Sequence, residues 1–185
     1  AKAISLTDIT ATDKVYDGTT TATISSYGTL SGTIDGDTIA LDTTNAASNF
    51  SDKNVGTGKT ITIASLALTG VDSENYSISN QTSTATITQK TLTATASASN
   101  KVYDGNTSAT VELTITGKVT GDTVSQSNTS TFDSKNVGTN RTVTVNSITL
   151  AGDDSTNYQI TAGQTTTASI TKKTLTLTLS GTASK

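Results

Sequence analysis

Side chains able to do chemistry are few in this chain, and their absences are as informative as their positions. The 185 residues include no His and no Cys. That removes Ser-His-Asp and Cys-His nucleophile arrangements, disulfides and thiolate metal sites. Paired carboxylates for acid–base work remain, at Asp13 with Asp17 and at Asp153 with Asp154. The second pair becomes Val71-Asp72 at the matching earlier position, so it is not part of a shared plan, and both pairs read as solvated turn residues. Asp52, Asn54, Asp133 and Asn136 carry hard oxygens that could hold calcium. They form no dense D-x-D-x-D run, and the competing reading is a hairpin turn using Asp and Asn for local hydrogen bonds. Lys14 and Lys101, with Asn75 and Asn157, are the recurring candidates for a self-formed Lys–Asn isopeptide crosslink, against the commoner exposed Lys and turn Asn. No catalytic and no cofactor-binding residue is assigned, calcium staying open as a ligand, and the chain does not read as an enzyme.

These residues recur. "DKVYDGTTTAT" from Asp13 returns as "NKVYDGNTSAT", and Tyr16 and Tyr103 stand 87 residues apart. "GDT" at Gly36 returns at Gly121. "FSDKNVGTGKT" from Phe50 returns as "FDSKNVGTNRT" from Phe132, and "LTGVDSENYSI" from Leu68 as "LAGDDSTNYQI" from Leu150, both 82 residues on. "ATITQKTL" from Ala85 returns as "ASITKKTL" from Ala168. The unit is about 83 residues, a period that marks tandem modules. The sequence therefore divides into a first repeat over 1–88, a second over 89–172, and a stretch 173–185 that reads as the first strand of a third.

The elements that must position these motifs are strands. In "KTITIASLAL", Ile61 and Ile63 alternate with Thr60 and Thr62, and "RTVTVNSITL" repeats the pattern with Val143 and Val145. Period-two alternation gives one buried and one wet face. The phase changes at Ala64-Ser65 and Asn146-Ser147, which predicts a bulge or bend. No 3.6-residue pattern appears. The expected fold is all-β: two tandem β-sandwich-like modules, Ig-like or a related elongated type, arranged end to end.

"KVYDG" then has a physical reading. Lys14-Val15-Tyr16 ends a strand, and Asp17-Gly18 turns the chain, as Asp104-Gly105 does after Tyr103. Asn54, Val55 and Gly56, with Asn136, Val137 and Gly138, read as a second recurring turn. Only 4% of residues are aromatic and 32% hydrophobic, so each Tyr matters to a thin core. T-x-T runs read as the wet faces of strands rather than as an ice-binding ladder.

In this order, "KVYDGTT", "DKNVGTGKT", "NYSI" and "ATITQKTL" resemble the YDG-type repeat of large bacterial surface and secreted adhesins, the filamentous-haemagglutinin-like proteins. The resemblance covers both repeats. Family members often carry a Pro in the junction that reads here as "ITQKTL" and "ITKKTL"; this chain has none. The resemblance implies an extracellular module, at the bacterial surface or secreted, repeated many times in a stalk-forming protein, with no catalytic residues to carry over.

Charge agrees. Lys plus Arg number 12 against 15 Asp plus Glu, a net charge of −3, so no basic face calls for nucleic acid. No apolar run is long enough for a membrane span. The expected partners are neighbouring repeats of the same chain, and the fragment is expected to be a monomer. The leading expectation is a structural spacer that projects a distal binding region. The alternative is an adhesive module binding a glycan or host protein, for which Tyr27, the Tyr outside the repeated register, is the sequence feature.

Overall fold

The computed structural model describes residues 1–178. Among them regular structure is almost entirely β, broken only by single 3-10 turns at Ser73–Asn75 and Ser155–Asn157. No helix among the described residues is long and apolar enough to cross a membrane.

In the first repeat the strand Lys2–Thr7 is central to a three-stranded sheet. It runs antiparallel to Thr29–Ser31, with Leu6 opposite Leu30, and parallel to Tyr76–Ile78, with Ile4 opposite Ile78. A four-stranded sheet is built on the antiparallel pair Gly56–Ala64 and Gln81–Thr88. Ala47–Phe50 pairs antiparallel on one side, and the two-residue strand Lys14–Val15 lies parallel on the other. Alternation decides the faces. Ile61, Ile63 and Ile87 are fully buried, and Thr60 and Thr62 are exposed. Burying such side chains contributes roughly 1.5–3 kcal/mol each.

The second repeat uses the same plan. Lys90–Ala98 pairs antiparallel with Val111–Thr116, and Gly138–Ala151 lies between Ser125–Phe132 and Thr165–Thr171, with Lys101–Val102 parallel at the edge. Its core gathers Val111 and Leu113 from one sheet with Phe132, Val143, Val145 and Ile170 from the other. The phase change takes two forms. In the first repeat Ser65, at φ +58°, separates Gly56–Ala64 from Ala67–Thr69. In the second the strand continues, and register slips opposite Thr129/Ser130 so that Asn146 is the extra residue of a bulge.

The chain folds into two compact units. The first takes residues 1–91 together with Val119–Thr123 and Asp153–Gln159; the second takes Leu92–Lys118, Val124–Gly152 and Ile160 onward. Two short segments from later in the sequence therefore belong to the first unit. Residues 172–178 form no strand, and 179–185, the rest of the stretch read as a third repeat's first strand, lie outside the described residues.

Candidate functional site

The "KVYDG" motif folds around its lysine. Lys14 Nζ donates to Asp17 Oδ1 at 2.8 Å, Thr19 O at 2.8 Å, Thr19 Oγ1 at 3.1 Å and Thr21 O at 3.0 Å. It also lies 5.5 Å from the centre of the Phe50 ring. Lys101 repeats this with Asp104 Oδ1, Asn106 O and Oδ1, and Ser108 O, and lies 5.6 Å from the Phe132 ring centre. A charged donor meeting carbonyls and a carboxylate over an aromatic face makes a local clamp. Burial pushes the Asp17 carboxyl up, but hydrogen bonds from Lys14 and Thr19 outweigh it and hold it below the ordinary range. Gly18 and Gly105 sit in these turns at φ +81° and +87°. The proposed crosslink partners are not brought together: Lys14 and Lys101 bond within their turns, and Asn157 bonds to Val55 and Asn54.

The "KNVG" loop differs from its sequence reading. The bend spans Ser51–Asn54, and Gly56 already opens the strand Gly56–Ala64. Gly56 and Gly138 lack positive φ; their missing Cβ leaves room for Lys59 and Arg141, which would otherwise crowd it at 3.2 and 2.6 Å. Of the calcium candidates, Asp52 Oδ1 accepts from Asn54 N at 2.8 Å and Lys59 Nζ at 2.7 Å, and Asn136 N donates to Ser134 Oγ. Among the described residues no cluster of three or more His, Cys, Asp or Glu is placed to hold a metal.

A further polar cluster forms around Tyr16, within the first compact unit. Tyr16 is 1% exposed, and its ring meets Tyr158 edge-on, centroids 5.4 Å apart at 77°. Both hydroxyls donate to Asp122 Oδ2, Tyr16 at 2.9 Å and Tyr158 at 2.6 Å. Lys53 Nζ lies 3.2 Å from Asp122 Oδ1 and 3.3 Å from Asp154 Oδ1. Asp154 Oδ2 in turn accepts from Thr123 N, and Tyr158 Oη accepts from Val119 N. Asn157, 1% exposed, accepts from Val55 N and donates to Asn54 Oδ1. Burial pushes the Asp122 carboxyl up, yet the bonds from Tyr158, Tyr16 and Lys53 hold it below the usual carboxylate range. Burial, reinforced by Asp122, pushes the Tyr158 hydroxyl up to about 12.

Every polar group of this cluster is consumed by another. It is a socket, made by Tyr16, Lys53, Asn54 and Val55, filled by two short segments, one carrying Asp122 and the other Asp154, Asn157 and Tyr158. Asp154 was weighed as one of a carboxylate pair and Asn157 as a crosslink partner, Lys53 and Asp122 were given no role, and none of the four was linked to Tyr16. Their signal was the recurrence of "GDT" and "NY" in both repeats, which marks positions without naming partners.

A fold of this class, with these motifs in this order, is a tandem β-repeat protein. The chain belongs to the YDG domain family, whose model matches residues 1–85 and again 88–168. No curated protein and no solved structure among those compared matches the chain.

Proposed function

We propose that this chain is a non-catalytic structural repeat of a large bacterial surface or secreted adhesin, serving as a stalk or spacer that projects a distal binding region. The observation that carries this reading is the Tyr16 socket. There the side chains with chemical potential are spent on one another, in hydrogen bonds and ion pairs of 2.6 to 3.3 Å, rather than presented to a substrate. A spacer needs that and needs no cofactor.

The test is mechanical. The chain is held by its two ends and stretched by force spectroscopy. A spacer stays folded under load and then lengthens in discrete steps, each released residue adding at most about 3.6 Å. Smooth extension without steps would sink the reading.

A second reading, an adhesive module that binds a glycan or host protein, has one observation in its favour. Half-buried Tyr27 lines a groove of about 470 Å³ with Ala22, Ala46 and Asn49. A panel of glycans and host matrix proteins offered to the immobilised chain separates the two readings. Binding that Tyr27→Ala abolishes favours adhesion, and silence favours the spacer.

A further inference from the structure

The second compact unit carries its own copy of the socket residues, and among the described residues nothing fills it. Tyr103 answers to Tyr16, Lys135 to Lys53, Asn136 to Asn54 and Val137 to Val55. Tyr16 is 1% exposed, but Tyr103 is only half-buried, and Val137 is 42% exposed. A Cβ on Gly18 would meet Val119 at 2.7 Å, whereas one on Gly105 would meet nothing within 4 Å. Among the described residues the Tyr103 hydroxyl and the Lys135 ammonium have no hydrogen-bond or ion-pair partner. A cavity of about 460 Å³ is lined by Tyr103, Asn136, Val137, Lys172, Lys173 and Leu175.

The matching turn also exists in an uncovered form, in the first unit. Ile34–Thr38 and Val71–Ser77 answer to the two segments that fill the Tyr16 socket. They are already assembled in the same way. Tyr76 Oη donates to Asp37 Oδ2 at 2.5 Å and accepts from Ile34 N at 3.0 Å, and Thr38 N donates to Asp72 Oδ2 at 2.8 Å. Yet Asn75 is exposed where Asn157 is 1% exposed, and Ile34 is 55% exposed.

We propose that the Tyr103 face binds the Asp37–Tyr76 turn of a second copy of this chain, head to tail. The filled socket supplies the contacts. Tyr103 Oη donates to Asp37, Lys135 bridges Asp37 and Asp72, and Val137 N donates to Asn75 Oδ1. Charge agrees at a further position. Lys172 replaces Gln89, whose Nε2 donates to Thr156 O at 3.0 Å, and Glu74 replaces Thr156. The socket thus gains a cation where the turn gains an anion. Ile34 packs over Gly105 as Val119 packs over Gly18. The face fits a preassembled acidic Tyr turn, and it rests on these residues rather than on the spacer reading. A monomeric chain would leave that reading intact, and an associating chain that failed under load would leave this one intact.

The test is sedimentation velocity on the whole chain from about 10 µM to about 1 mM, the range in which a contact otherwise made at high effective concentration comes within reach of a free partner. The wild type is expected to form dimers and longer series, less so as salt rises. Lys135→Glu blocks the socket and Asn75→Arg blocks the turn; both side chains are exposed, so the melting curve is expected to be unchanged. Each variant alone is expected to weaken association by about tenfold or more. Mixed together, they retain one good socket and one good turn, and are expected to form 1:1 dimers and nothing larger. A wild type that stays monomeric throughout, a single variant that associates like the wild type, or a mixture that does not pair would each overturn the proposal.

Discussion

The hydroxyls of Tyr16 and Tyr158 converge on one oxygen, Oδ2 of Asp122, at 2.9 and 2.6 Å. Two neutral donors on one ionised acceptor give charge-assisted bonds, stronger than neutral ones. The edge-on ring geometry lets both hydroxyls reach that oxygen while the rings exclude water from it.

Asp122→Ala leaves two tyrosine hydroxyls without their acceptor and Lys53 with Asp154 alone. The Asp122 side chain is 4% exposed, so little water replaces it. The expected loss is about 2–4 kcal/mol in urea unfolding. Tyr16→Phe should cost about 1–2 kcal/mol, while Tyr103→Phe, at a half-exposed hydroxyl without a partner, should cost under about 0.5 kcal/mol. Equal effects at the two tyrosines would refute the distinction between filled and open sockets.

Stability should fall at both ends of the pH scale, for opposite reasons. The Tyr158 hydroxyl is raised from 10.0 to about 12 by burial and by Asp122. Its contribution is complete below pH 10 and drains away as pH climbs from 10 toward 12. The Asp122 carboxyl is held below 3.8 by bonds that outweigh burial. Its contribution is complete above that value and is lost as pH falls through the lowered one, along with those of Asp17, Asp52 and Asp104. Melting temperatures should therefore be level between about pH 5 and pH 9. Tyrosinate absorbance, followed on the same samples, should rise together with the alkaline loss.

Gly18 and Gly105 share a positive φ but not a neighbour. Valine at either position strains the backbone by about 1–3 kcal/mol. At Gly18 the new Cβ also meets Val119 at 2.7 Å, which adds an overpacking cost of about 1–3 kcal/mol. Differential scanning calorimetry should rank Gly18→Val below Gly105→Val, and the reverse order would contradict the contact.

Lys14→Met keeps the chain over Phe50 but removes the ammonium from Asp17 and from the carbonyls of Thr19 and Thr21. The Asp17 side chain is 50% exposed, so water screens part of the loss and about 1 kcal/mol is expected. Lys101→Met should behave alike. A thermal melt on each variant checks both, and a silent pair would reduce the clamp to a bystander.

Much of the fold was legible because alternation is a local property. Ile61, Ile63, Val143 and Val145 announce their buried face within a few residues. Strand direction was not legible, since alternation tells which face is buried but not which strand lies alongside. The parallel pairing of Lys14–Val15 with Gln81–Thr88 left no mark that short-range pattern could read. Lys14 was visible as a recurring lysine and was weighed as a crosslink partner. Its role as a clamp depends on four acceptors converging in space. Tyr16 was read as part of the Asp-Gly turn motif; it directly follows the strand Lys14–Val15, and its acceptor lies 106 residues away. At that distance only the fold supplies the partner. Gly56 was read as a turn former because Asn-Val-Gly looks like a turn. The bend ends at Asn54, two residues earlier, and a Cβ on Gly56 would come within 3.2 Å of the Lys59 side chain.

The clamp around Lys14 also bears on how the protein ages. Asp-Gly bonds are weak points of any polypeptide, because the aspartyl carbonyl can be attacked by the next backbone nitrogen to form a succinimide and then isoaspartate. That attack needs a free, rotatable side chain. In the clamp, Asp17 Oδ1 is held by Lys14 Nζ, Thr19 N and Thr19 Oγ1, and Asp104 Oδ1 by Lys101 Nζ and Asn106 N. Asp35-Gly36 is an exposed copy of the same dipeptide outside any clamp. Isoaspartate should therefore accumulate first at Asp35, while the two signature turns stay chemically intact.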